Sequence, residues 1–388
     1  MSLQASTMPA PTAAKRQRGI LHVVDSLERG GLERLVHDLA VAQHRRGDRV
    51  AVFSINRTGG FIDELRAAGV SVIVGDKQGT LDLRVLGKLR QAVQTHHIET
   101  VHAHNFVPSY YAAAALIGMR PRPTQVVTCH DMGTRLSNRR LRWLFKWSVR
   151  RSQGVAMVGQ QVHERFTRDG YVPSSKAMTL LNAVPVEDFG ITPERRAAAR
   201  LALGLSDDEV VVGCVGRLVE LKNHLGLIRQ WPAVLARHPR ARLLLIGEGP
   251  LRPQIEQLIG ELGLGDRVTL VGIRSDVAQL LPGLDVFALP SFTEGVSIAL
   301  LEACATGLPA LASRVGGNVE VIQDGRTGRL FDVQNPDDLR NALTQLVSDA
   351  SLRQTWGQAA RAWVQTNASL SALCAQYDRL YDESATRR

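Results

Sequence analysis

Two carboxylates, Glu294 and Glu302, stand in PSFTEGVSIALLEACATGLPALASRVGG, a segment otherwise made of apolar and small residues. A carboxylate among apolar neighbours is costly to bury unless a polar group meets it. The strand-like LDVFALP ends at Pro290, Ser291-Phe292-Thr293 reads as a turn, and GVSIALLEACATG reads as a helix closed by Gly307. Glu294 then sits at a helix N-terminus, where the dipole alone favours it by about 0.3–1 kcal/mol. Glu302 lies roughly two turns into the helix, beyond that effect. It needs a polar partner, and a sugar diol is one candidate.

Upstream, VVVGCVG ends in Gly216, with Arg217 directly after it and Lys222 further along GRLVELKNH. Two cations where a strand end meets a helix start suit a diphosphate, because fixed charge and N-terminal amides act together. Solvated surface cations would show the same spacing, so the neighbours decide. GEGPLR follows the next strand, placing Gly247 and Gly249 where backbone could approach a ligand. VTLVGIRSDV adds Gly272 and Arg274 at a third strand end, and Glu294 supplies a fourth.

The elements that must position these groups follow a β-α-β rhythm. GILHVVDS, RVAVFSI, VSVIVG, ETVHAH and TQVVTCH are short β-branched runs separated by amphipathic stretches, the pattern of a parallel sheet buried on both faces. The rhythm breaks at LLNAVPVEDFGITPERR, with Pro185 and Pro193, and restarts with EVVVGCVGRL, ARLLLIGEG, DRVTLVG, LDVFALP and LPALAS. A chain of 388 residues suits two or three domains. The expected organisation is a disordered basic tail over 1–18, a Rossmann-like domain over 19–181, a linker over 182–209, a second Rossmann-like domain over 210–370, and a C-terminal helix over 371–388 able to pack back on the first domain. Two open sheets facing one another leave a cleft at their carboxyl ends.

Composition narrows the function classes. At 44% hydrophobic and 22% charged residues, the chain reads as globular and soluble. Met1–Leu181 holds 26 Lys+Arg against 13 Asp+Glu, whereas the remainder is slightly acidic, so the overall +10 belongs to the first half. A basic half suggests an anionic partner or surface. Nothing resembles a zinc finger or an aromatic ribonucleoprotein motif, so nucleic acid is not expected. Cys129, Cys214, Cys304 and Cys374 are scattered without a C-x-x-C pair and read as cytosolic thiols. The N-terminal segment lacks a signal-peptide core, and the longest apolar run, YYAAAALIGM, is about half a membrane span.

The segment Pro290–Leu330 resembles the signature of glycosyltransferase family 4, retaining enzymes of the GT-B fold that use nucleotide-sugar donors. GRLVELKNH and GEGPLR are similar to that family's donor-site segments, and LERGGLERLVHDLA, VHAHN and VVTCHD to its glycine loop and two histidine segments. The resemblance implies two Rossmann-like domains across a cleft, with Arg217 and Lys222 on the donor diphosphate beside Gly216, Gly249 and Arg274. It implies Glu302 on the ribose hydroxyls and Glu294 on the transferred sugar, with the amides of Gly295, Val296 and Ser297 near the distal phosphate. Gly30 and Gly31 would face donor and acceptor across the cleft, and His130 would lie near the reacting sugar.

No Asp-x-Asp motif is present to carry a divalent metal, and the two cations with helix amides are expected to meet the leaving charge instead. No cofactor beyond the nucleotide-sugar substrate is expected, with uridine diphosphate sugars favoured over guanosine diphosphate sugars. Val296-Ser297 departs from the family's usual Phe-Gly or Phe-Pro, which leaves the sugar open. The acceptor class is a glycan or a lipid-linked molecule; the alternative is a sugar-nucleotide epimerase on the same fold. No G-x-G-x-x-G supports an oxidoreductase. The stretch 135–151, RLSNRRLRWLFKWSVRR, has seven Lys/Arg and no acid. It reads either as an ordinary helix or as a docking element for an anionic membrane, which would place the protein at the inner face of the cell membrane.

Overall fold

The computed structural model describes residues 17–57, 59–79, 82–130 and 136–387. The first sheet contains β1 (Gly19–Val24), β2 (Arg49–Ser54), β3 (Ser71–Val74), β4 (Thr100–His104), β5 (Thr124–Cys129), β6 (Gly154–Val158) and β7 (Ala177–Leu180). Their order is β3-β2-β1-β4-β5-β6-β7, parallel throughout. The second contains β8 (Val210–Val215), β9 (Ala241–Ile246), β10 (Val268–Gly272), β11 (Val286–Leu289), β12 (Ala310–Ser313) and β13 (Gly328–Phe331), in the parallel order β10-β9-β8-β11-β12-β13. Strands such as GILHVV are buried along their whole length because helices cover both faces. The order reverses beside β1 and beside β8, and open parallel sheets receive ligands at such points.

The chain crosses between domains twice, side by side. The Val184 N–H donates to Ala368 O at 3.0 Å, and Val184 bridges Ser369. Beyond this crossing the helix Leu370–Thr386 lies on the first sheet, where Leu373, Tyr377 and Tyr381 share a core with Ile20, Leu39 and Val126. The helix Pro193–Leu203, inside the expected linker, packs instead on the second domain through Arg200, which is 2% exposed and donates to Asp285 at 2.9 Å. Gln17 and Arg18 differ from the expected tail. Arg18 pairs with Asp382 at 2.8 Å and its N–H meets Asp48, while 1–16 lie outside the described residues.

The cleft is bridged by direct contacts. Both carboxylate oxygens of Glu320 accept from the Gln160 N–H, at 2.8 and 2.9 Å, so a second-domain side chain caps the first-domain helix Gln160–Arg168. Gly159 makes this approach possible: φ is +91°, and a Cβ there would lie 3.0 Å from Glu320 Oε1. Asn182 Nδ2 donates to Val296 O at 2.6 Å.

Candidate active site

Glu294 leaves the end of β11 with its side chain largely buried, 9% exposed. Its Oε1 accepts from Lys222 Nζ at 2.5 Å and from Ser291 Oγ at 2.6 Å. The structure therefore joins Lys222 and Glu294, which the sequence assigned to separate tasks, into one ion pair. Ser297 caps the helix Ile298–Thr306, its Oγ accepting from the Leu300 N–H, so this helix starts shortly after Glu294 in the chain. Arg217 is exposed and makes no side-chain hydrogen bond or ion pair among the described residues, leaving its fork open to an anion.

Glycines hold these loops together. A Cβ on Gly247 would lie 2.0 Å from Gly216 O, and one on Gly249 would lie 2.4 Å from Leu218 O. Close loop packing thus explains Gly249, where the sequence suggested approach of a ligand. Gly316 has φ of +52°, and a Cβ on it would overlap Glu294 O. That glycine fixes the Glu294 loop and went unnoticed in the sequence, although RVGG carries the signal.

Glu302 projects from the middle of the helix Ile298–Thr306 and is half-buried by its neighbours. Burial pushes its carboxyl up to about 7, with Arg34 opposing the shift and Asp38 reinforcing it. Its side chain makes no hydrogen bond among the described residues. Arg34 comes from the glycine-loop helix Gly31–Arg45 across the cleft, where it is engaged by Asp38 at 2.9 Å. Sequence reading missed this arginine because it lies far from the donor segments.

Gly30 caps the helix Gly31–Arg45, and a Cβ on Gly31 would stand 3.7 Å from Ile298 of the opposite domain. The glycine loop thus faces the start of the Glu302 helix. His130 follows β5 directly; its N–H donates to Asn105 Oδ1 at 2.8 Å, and Asn105 holds φ of +67°. Burial brings the His130 imidazole down to about 4, so it is neutral near pH 7.

Beneath it lies a buried network. His22, His102 and His104 bring ring nitrogens within 4.8 Å of one another. His102 meets Tyr381 Oη at 2.8 Å and Thr128 Oγ1 at 2.7 Å, and His22 meets Gln43 Oε1 at 2.7 Å and His104 Nε2 at 3.1 Å. Five of the six ring nitrogens are committed to hydrogen bonds, His104 Nδ1 being the exception, and the amide and hydroxyl partners bring no negative charge to offset a dication. The cluster ties β1, β4 and β5 to the C-terminal helix, a structural role for His102 and His104.

One expected ligand group is placed differently. Arg274 forms a two-pronged pair with Asp276, at 2.7 and 2.5 Å, and turns its fork inward to its own loop. Val296 is 5% exposed, its side chain packed in the core beside the cleft hollow that Glu294 and Gly295 also line.

Two facing parallel-sheet domains, with cations and a buried carboxylate at the strand ends of one and a glycine loop opposite, define a glycosyltransferase of the GT-B fold. Residues 29–188 match the model of Glycosyltransferase Family 4, and residues 196–363 match that of Glycosyl transferases group 1. The chain belongs to the family-4 glycosyltransferases. It is 27% identical, over 77% of its length and 78% of the relative's, to N-acetyl-alpha-D-glucosaminyl L-malate synthase of Bacillus anthracis. It is 28% identical, over 84% of its length and 87% of the relative's, to a GDP-mannose-dependent alpha-(1-6)-phosphatidylinositol monomannoside mannosyltransferase of Mycobacterium tuberculosis. The fold matches Anabaena HepE in complex with UDP, with a TM-score of 0.80 at 23% identity over 93% of this chain and 98% of that one. Among the described residues no helix is long and apolar enough to cross a membrane.

Proposed function

We propose that the protein transfers a hexose-type sugar from a nucleoside diphosphate donor to a hydroxyl of a glycan or lipid-linked acceptor, with retention of configuration and without a metal. The observation that carries this reading is Glu302, a half-buried carboxylate without a hydrogen-bonding partner among the described residues, in a cleft that also presents the open fork of Arg217. A ribose diol supplies the two donors this carboxylate lacks. The diphosphate lies against Arg217, Lys222 and the amides of Gly295 to Ser297, which meet the leaving charge by preorganised electrostatics. Glu294, oriented by Lys222 and Ser291, takes hydroxyls of the transferred sugar.

The acceptor attacks on the face the diphosphate leaves, and a departing phosphate oxygen takes its proton. His130, neutral near pH 7, hydrogen-bonds the sugar rather than protonating the leaving group. The mycobacterial relative is named as a mannosyltransferase, which favours transfer over epimerisation. The Anabaena complex favours a uridine diphosphate donor, and the mycobacterial relative, which its name couples to GDP-mannose and a phosphoinositide, supports a lipid acceptor. The test is a thermal-shift panel of nucleoside diphosphates, followed by turnover in excess chelator. A ligand at 100 times its Kd stabilises by about 2.7 kcal/mol. Turnover lost in chelator and restored by magnesium or manganese refutes the metal-free reading.

The helix Arg139–Arg151 supports placing this site at an anionic membrane surface on the cytoplasmic side. It buries Phe145, Ser148 and Val149 and turns Trp143 outward, 64% exposed, with Arg139, Arg140 and Arg150 on the same side. Arg135, the first residue of the stretch, lies outside the described residues. Wild type should sediment with anionic liposomes in a salt-sensitive manner, and the variant with Arg139, Arg140 and Arg142 changed to Glu should not. Equal sedimentation of the two removes the membrane from the reading.

A further inference from the structure

A second cationic hollow, of about 670 Å³, opens at the end of the second sheet opposite Glu294, where β11 and β12 begin. Arg195, Arg196, Arg353 and Arg361 line it, and among the described residues Asp285 is the one carboxylate on its wall. That carboxylate is already shared. Its Oδ1 accepts from Arg196 at 2.7 Å, and its Oδ2 accepts from the buried Arg200 at 2.9 Å and from the Val211 N–H at 2.8 Å.

The other three guanidiniums are held by uncharged oxygens. Arg195 donates to Asp188 O, Arg353 to Leu346 O and Val347 O near the end of the helix Pro336–Ser348, and Arg361 to Phe189 O and Ala305 O. Capping of helix carbonyls accounts for such arginines singly. It does not account for four converging on one hollow. A guanidinium offers five N–H donors, and carbonyl partners fix its direction without cancelling its charge. Burial draws Arg353 below its ordinary value and Arg196 adds to this, against Asp285 and Asp349. The helix Ala350–Asn367 begins on this wall and the helix Ile298–Thr306 ends on it, so the two dipoles oppose one another and the positive charge is that of the arginines.

We infer that this hollow binds a small phosphorylated metabolite, its phosphate seated among Arg196, Arg353 and Arg361. Guanidinium forks match phosphate oxygens in pairs. The volume falls in the range of small-molecule sites, large enough for a sugar phosphate rather than an inorganic ion alone. The hollow opens at the C-terminal end of the helix that carries Glu302, whose other end faces the cleft, and its assignment stands independently of the reaction proposed there.

Calorimetric titration of the full chain with pyrophosphate and with glucose 1-phosphate tests this. Gln354 and Gln358 line the hollow, are exposed, and make no side-chain hydrogen bond among the described residues. The double variant Gln354→Glu/Gln358→Glu therefore places two carboxylates in the hollow without removing a contact. At least one probe should bind wild type, bind the double variant tenfold or more weakly at unchanged melting temperature, and still bind Lys222→Ala. Neither probe binding wild type, equal binding by the double variant, or binding abolished by Lys222→Ala overturns the inference.

Discussion

Lys222 and Glu294 share one short ion pair, so neither can be altered alone without disturbing the other. Lys222→Ala should lower kcat/KM about a hundredfold or more, in the range seen for loss of one preorganised donor. Glu294→Gln loosens the contact that orients Lys222 and should therefore also weaken the diphosphate contact. A double-mutant cycle on kcat/KM should accordingly show coupling of about 0.5–3 kcal/mol, and additivity within about 0.5 kcal/mol contradicts the pairing. Both residues were legible in the sequence, since an acid among small residues and a lysine after a strand-end glycine each stand out. Their contact was not, because it joins loops from separate strands. Arg34 and Glu320 were missed for a related reason: each looks like an ordinary surface charge until the opposite domain is placed beside it.

At the scale of elements, the cap that Glu320 gives the helix Gln160–Arg168 is a bond between domains. Removing an N-cap carboxylate costs about 0.5–2 kcal/mol. Here the loss falls on cleft closure, because each domain keeps its own core. Glu320→Ala should enlarge the radius of gyration in small-angle scattering and raise KM for the donor more than it lowers the melting temperature. Unchanged scattering with an unchanged KM argues against a role in closure. Strands were the readable elements, since apolar β-branched runs mark a doubly covered sheet. Helix placement was harder: the amphipathic pattern of Pro193–Leu203 shows that one face is buried but not by which domain. The basic stretch Arg139–Arg151 shows the same limit, for only the fold reveals that Trp143 points outward while Phe145 enters the core.

Across the whole molecule, burial holds His22, His130 and His224 down to about 4, and His102 and His104 well below their ordinary value. Between about pH 6.5 and 4 the unfolded chain binds protons that the folded one refuses, so stability falls as pH falls through this window. Glu302 acts in the opposite sense, because its raised carboxyl favours the folded state at low pH and that contribution is lost as pH rises from 4.5 toward 7. The upward shifts of Glu33 and Asp188 are opposed by the downward shifts of Asp276 and Asp324, and five histidines outweigh Glu302. The melting temperature should drop steadily from pH 6.5 to 4.5, with net proton uptake on unfolding; a flat profile contradicts the buried, neutral network. No periodicity announces that network, since β1, β4 and the C-terminal helix meet only in the folded chain.

The reading of the cleft turns on Glu302 holding a ribose. Calorimetric titration with the nucleoside diphosphate that stabilises the protein most, and with its 2′-deoxy counterpart, measures this directly in wild type and in Glu302→Gln. Wild type should prefer the ribonucleotide by tenfold or more, since removing one hydroxyl leaves part of a half-buried carboxylate unsatisfied. Glu302→Gln should bind the ribonucleotide more weakly and lose most of that preference. Equal binding of the two nucleotides by wild type, or an undiminished preference in the variant, contradicts the assignment.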